Sequence, residues 1–105
     1  MADRITALQG MLERRPDDAR LRFGLALEFL KVERLDEAVE QLQAYLSQTD
    51  DEGNAWGRLG EALRQLGLDV EARQAWEQGI EAAERHGHPT MAEEFREILA
   101  EWDQS

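Results

Sequence analysis

The chain has 105 residues, two prolines, no cysteine and a formal net charge of −11. That length suits one small domain with a thin core. The missing thiols exclude disulfides, thiol catalysis and thiolate metal sites, and the charge argues against nucleic acid or an anionic membrane surface as a ligand. Partners are expected to be neutral or basic overall, or to meet a local patch of arginine, and most of the carboxylates read as a solvated outer face. Ala, Leu, Glu, Gln and Arg dominate, all strong helix formers, so an all-α fold is expected. No long apolar run follows Met1-Ala2-Asp3-Arg4, so neither a signal peptide nor a membrane span is expected, and the expected location is the cytoplasm.

In chain order, six segments carry apolar residues at helical spacing. The first holds Ile5, Leu8, Met11 and Leu12, and ends at Pro16-Asp17-Asp18. The second holds Leu21, Leu25, Phe29 and Val32; the third holds Leu35, Val39, Leu42 and Leu46 and ends at Thr49-Asp50-Asp51-Glu52-Gly53. The fourth holds Trp56, Leu59, Leu63 and Leu66, with a weaker break at Gly67-Leu68-Asp69. The fifth holds Val70, Trp76 and Ile80, and stops at His86-Gly87-His88-Pro89-Thr90. The last holds Met91, Phe95, Ile98, Leu99 and Trp102. Pro and Gly punctuate, and Asp or Thr can accept from the free N–H groups of a following helix. Short connections give antiparallel neighbours.

A period of 34 residues runs through these segments. Trp56, Leu59, Gly60, Leu63, Ala72 and Trp76 have upstream counterparts at that offset, in Arg22, Leu25, Ala26, Phe29, Ala38 and Leu42. Leu8, Leu42 and Trp76 are equally spaced, as are Leu12, Leu46 and Ile80. A fixed period of this size means one supersecondary unit used more than once. The boundaries read as a half-unit helix over 1–15, repeats over 19–52 and 53–86, and a closing helix over 89–103, all in one domain. The closing helix fits only after a shift of 36, the surplus lying in His86-Gly87-His88. Small residues at Ala26, Ala38, Gly60 and Ala72 point to close helix–helix approach, since Gly inside a helix otherwise costs roughly 1 kcal/mol.

This pattern resembles the tetratricopeptide repeat, whose 34-residue unit carries Trp-x-x-Leu-Gly-x-x-Tyr, then Ala-x-x-x-Phe, then Pro. The second unit matches through Trp56, Leu59, Gly60, Ala72 and Trp76, with Leu63 in place of Tyr, Trp76 in place of Phe and Glu84 in place of Pro. The first matches through Leu25, Ala26, Phe29, Ala38 and Leu42, with Arg22 in place of Trp, and Pro16 fits the closing Pro of a preceding half unit. The resemblance covers nearly the whole chain. It implies a right-handed superhelical stack of antiparallel helix pairs, an α-solenoid of about six helices. It also implies a scaffold for binding protein or peptide in a concave groove lined by the first helix of each unit.

Helical spacing leaves Phe23, Leu27 and Leu30 outside the repeat core on that first-helix face. Their counterparts are Gly57, Glu61 and Arg64 in the second unit, and Glu93, Glu97 and Ala100 on the closing helix, while Arg20, Asn54 and Arg58 border the groove. Each large apolar side chain contributes roughly 1.5–3 kcal/mol when fully buried. A partner helix or peptide, a second copy of the chain, or a neighbouring helix of the same chain could cover them. The subset of the family that clamps a C-terminal carboxylate uses Lys and Asn where this chain has Phe23 and Leu27, which argues against that use. Arg58 and Arg64 are expected to pair with Glu61, Glu93 or Glu97.

No catalytic, cofactor or metal site is expected. His86-Gly87-His88 has only Glu84 as an obvious local helper, whereas a metal needs three or four ligands; Gly87 reads better as a helix stop, with His86 near the negative end of the dipole. No carboxylate pair is forced into an apolar pocket for acid–base work. No glycine loop suits phosphate, no Ser-His-Asp arrangement can be argued, and the three tryptophans fall at core positions. An interaction module, not an enzyme, is the expected function, and a homodimer through the Phe23 strip is the alternative.

Overall fold

The computed structural model describes residues 3–104. It contains six α-helices and, among the described residues, no strand. They are α1 (Asp3–Arg14), α2 (Ala19–Lys31), α3 (Leu35–Gln48), α4 (Asn54–Gln65), α5 (Asp69–Arg85) and α6 (Pro89–Gln104). The first two residues of the expected half-unit 1–15 lie outside the described residues. The helices gather into two compact units, one ending at Thr49 and the other beginning at Asp50.

In the first unit α1 and α3 both pack on α2. The core is Ile5, Leu25, Phe29 and Ala38, with Leu8, Leu12 and Leu30 packed against it. Ala26, Ala38 and Leu42 are fully buried, the small residues letting the two backbones approach. Arg34 lays its guanidinium 4.9 Å from the centre of the Phe29 ring, closing the core at the α2–α3 turn.

In the second unit α5 packs on α4 and on α6. Its interior is built largely from alanine: Ala55, Ala62, Ala72, Ala75, Ala82, Ala83 and Ala92 are all buried around Leu59, Leu63 and Trp76. The reason for Gly60 is specific. A Cβ there would lie 2.8 Å from two carbons of the Trp76 indole, so the ring fills the space a side chain would take. Trp76 in turn meets Trp102 edge to face, with centroids 5.7 Å apart. Trp56 and Trp102, expected in the core, are only half-buried, and Val32 and Val70, which the spacing placed with the apolar sets, are exposed. Both valines sit at helix termini beside a turn, where the helix no longer presents its face to a neighbour. Glu84 stands where the repeat's closing Pro would stop the chain, and α5 runs on to Arg85, 17 residues against 14 for α3.

Three helix ends are closed by one device. Glu33, Gly67 and Gly87 adopt positive φ of 59°, 79° and 77°. The next residue then reaches back five positions: Arg34 N–H donates to Phe29 O, Leu68 N–H to Leu63 O, and His88 N–H to Ala83 O, at 2.9, 2.9 and 2.7 Å. This is the Schellman arrangement, which satisfies carbonyls left over at the helix end. The carbonyl of the same residue then accepts the first helical hydrogen bond of the following helix, from the N–H of Ala38, Ala72 and Ala92 respectively. Glu33 and Gly67 are 34 residues apart, so the repeat extends to the turn itself.

Two pairs of substitutions test this packing. Gly60→Ala should lose about 1–3 kcal/mol of stability despite alanine's helix preference, because its Cβ meets the Trp76 ring. Gly10→Ala, with nothing within 4 Å of the new Cβ, should gain up to about 1 kcal/mol in the same urea titration. Glu33→Gly should gain up to about 1 kcal/mol, since a side chain at positive φ costs roughly 1–2 kcal/mol and glycine's extra freedom returns only part of it. Gly67→Ala should lose a similar amount, read by thermal unfolding.

Candidate partner-binding surface

Asp18 sets the register of α2. Its Oδ1 accepts the N–H groups of Arg20 and Leu21 at 3.1 and 3.3 Å, an N-cap that fixes where the helix begins. From that start Phe23, Leu27 and Leu30 fall at i, i+4 and i+7 on one face, with Arg20 exposed in the first turn. All three apolar side chains are half-buried. Phe23 stacks at a tilt on Tyr45 of α3, with centroids 4.9 Å apart. Leu30 packs against the first unit's core. Leu27 lies between these two anchors.

Tyr45 is a member of this surface that the sequence reading missed. The signal was available in the period: Tyr45 stands 34 residues before Gly79, as Phe23 stands before Gly57. In the second unit this pair of positions is glycine on both helices. A Cβ at Gly57 would come within 2.7 Å of the Phe95 ring, and one at Gly79 within 2.9 Å, so Phe95 of α6 occupies the slot. In the first unit the same two positions supply the rings themselves.

The other four predicted residues, Asn54, Arg58, Glu61 and Arg64, are all exposed on α4, in the second unit. The buried Asp51 carboxylate holds the start of this helix, accepting N–H groups from Gly53 and Ala55 at 2.8 and 2.9 Å. Arg64 takes a different partner from the one expected. Its guanidinium lies 4.5 Å from the Trp102 ring centre, and Arg73, paired with Asp103, lies 4.6 Å from the same ring. Glu61 accepts instead from Gln65, and Glu93 pairs with Arg96. Cation–ring attraction outbids an exposed ion pair here because the flat guanidinium rests on a half-buried surface. Arg58 has no ion pair among the described residues.

The two histidines are held separately. His86 Nε2 lies 3.1 Å from Asp50 Oδ2, and His88 Nε2 3.1 Å from Glu52 Oε2. Arg85 donates to the other Asp50 oxygen at 2.6 Å. Arg85 first, then His86, hold the Asp50 carboxyl below its ordinary range. Among the described residues no three His, Asp or Glu side chains gather where they could hold a metal ion. None of their helices is long and apolar enough to cross a membrane. What α2 offers is apolar area beside Arg20, and what α4 offers is the amide of Asn54, the guanidinium groups of Arg58 and Arg64 and the carboxylate of Glu61.

The tetratricopeptide-repeat family model matches residues 5–49 and 23–89. The chain is 36% identical over 101 residues to the TPR repeat-containing protein PA0015 of Pseudomonas aeruginosa, covering 96% of each. Among solved structures it is similar to the solution structure of protein BPP2914 from Bordetella parapertussis, with a TM-score of 0.79, 32% identity, and coverage of 95% of this chain and 87% of that one. It also shares its fold with a mutant of MamA, with a TM-score of 0.71 and 24% identity, covering 97% of this chain and 64% of the other. The repeat supports a protein-interaction or scaffold role, and proteins built on it are generally interaction modules and not enzymes. The period, the small-residue closures and these likenesses agree: the chain belongs to the tetratricopeptide-repeat family.

Proposed function

We propose that this protein binds a helix or an extended segment of a partner protein along α2, in the cytoplasm and without a cofactor or a catalytic step. Phe23, Leu27 and Leu30 take the partner's apolar side chains, and Arg20 borders the strip. In the second unit, taken by itself, Asn54, Arg58, Glu61 and Arg64 on α4 offer polar contacts to a protein partner. The observation that carries this reading is the half-buried apolar strip of α2. Leu25 and Phe29 close the first unit's core from another face of the helix, so burying what remains of Phe23 and Leu27 is a gain left for a partner. A chain of net charge −11 favours partners that are neutral or basic overall.

The double variant Phe23→Glu/Leu27→Glu should lose the partners that the wild type retains from a native extract, while its far-UV circular dichroism stays helical. Retention of the same partners by the folded variant sinks the reading. Light scattering on the wild type separates the kinds of occupant. A particle of the 12.0 kDa protomer at high concentration leaves the strip to another protein. A doubled mass that the variant halves assigns it to a second copy.

A further inference from the structure

The first unit has a second opening, on a different face of α2. Arg22 stands 34 residues before Trp56, at the position where the family signature has Trp. Its side chain leaves the helix about 100° around from that of Phe23. A guanidinium thus enters where an indole would. Nη1 donates to Gln41 Oε1 at 3.2 Å, and Nη2 to the Pro16 carbonyl at 3.1 Å. Nε is sealed from solvent and donates to no group. Arg22 has no carboxylate partner among the described residues. An unpaired donor on a part-buried cation is costly, and the cost is recovered when an acceptor arrives.

The geometry says which acceptor. Nε and Nη2 form one edge of the guanidinium, the edge that receives a carboxylate side-on through two parallel N–H···O bonds. Here that edge holds a single carbonyl. Arg22 also lines an open cleft of about 480 Å³, together with Gln9, Leu12 and Glu13 of α1, Pro16, and Gln41 of α3, while its Nε stays covered. Leu25 lies beneath this lining, fully buried in the core. The cleft itself is lined by one cation, Arg22, and one carboxylate, Glu13. Residues before 50 hold seven of the 12 Lys and Arg and nine of the 23 Asp and Glu, a much smaller acidic excess than the rest of the chain carries.

We propose that this cleft binds the side-chain carboxylate of an acidic segment in a partner protein. The carboxylate takes the Nε–Nη2 edge of Arg22 as the Pro16 turn moves aside, which releases Nη2 from Pro16 O and uncovers Nε. The Gln41 amide, whose oxygen already accepts from Nη1, has its N–H₂ group free to donate. The ligand's aliphatic stem rests on Leu12. Glu13 on the rim competes with the ligand for the same positive charge. A partner that is neutral or basic overall still carries single Asp and Glu side chains, so the chain's own acidity does not forbid this contact. The site reads through residues other than the Phe23 strip, so the two proposals stand or fall separately.

The test is an NMR titration of the full-length chain with a short peptide of Glu and Leu, acetylated at its N terminus and amidated at its C terminus. A Gln-for-Glu copy and a copy with a free C terminus run alongside. Expected are saturable shifts of the Arg22 Nε–H and of the Gln9 and Gln41 side-chain amides with the Glu peptide, and none with the Gln peptide. Arg22→Trp restores the family's residue and fills the cleft, while Arg22→Lys keeps the charge and removes the two-donor edge. Each should weaken binding about tenfold or more with helicity unchanged, and Glu13→Gln should tighten it. An equal response to the Gln peptide, a response only to the free C terminus, or unaltered affinity in folded Arg22→Trp would overturn the assignment.

Discussion

Close approach of helices across alanine and glycine is the constraint on which each unit depends. In the first unit it is made by Ala26 and Ala38, both fully buried. In the second it is made by Gly60 and Ala72, and at Gly60 the partner is the Trp76 ring itself. Small residues contribute little apolar area of their own. Their value is that they bring larger neighbours, Phe29, Leu42, Leu59, Leu63 and Trp76, into contact on both sides. A 105-residue chain without disulfides has few other means of making a dense interior.

The same register position is used differently in the two units, and this difference bears on function. Gly57 and Gly79 leave a slot that Phe95 fills from α6, so that part of the second unit is closed by its own chain. Phe23 and Tyr45 stand at the matching positions of the first unit and meet each other, leaving a half-buried aromatic and aliphatic strip on α2. At Arg22 the substitution runs the other way. A thin charged side chain stands where the family has a large indole, and it lines a cleft of about 480 Å³. Phe23 and Tyr45 differ from the second unit at positions the signature leaves open, Arg22 at a position the signature fixes, and the matching signature residues are occupied with packing.

Much of this was legible in the sequence. Six helices followed from apolar spacing and break residues, and the pairing of small with large residues followed from the period. Positions at helix ends were harder to read. Val32 and Val70 fit the helical spacing and are exposed, because periodicity describes a face and not where that face stops being covered. Arg64 was assigned an acidic partner by charge alone, and Trp102 captured it; a ring 38 residues away in sequence leaves no local signal. Tyr45 was legible through the period, standing 34 residues before Gly79. The unpaired Nε of Arg22 was not, because which atom of a long side chain meets which neighbour is fixed only once helices are packed.

The close contact between Gly60 and the Trp76 ring is the most direct point at which to test the account. A proton NMR spectrum of the folded chain should show nuclear Overhauser effects from the Gly60 α-protons to the Trp76 indole, with those α-protons displaced by the ring current. Gly60 α-protons at ordinary shifts, with a Trp76 ring that gives no cross-peaks to α4, would contradict it.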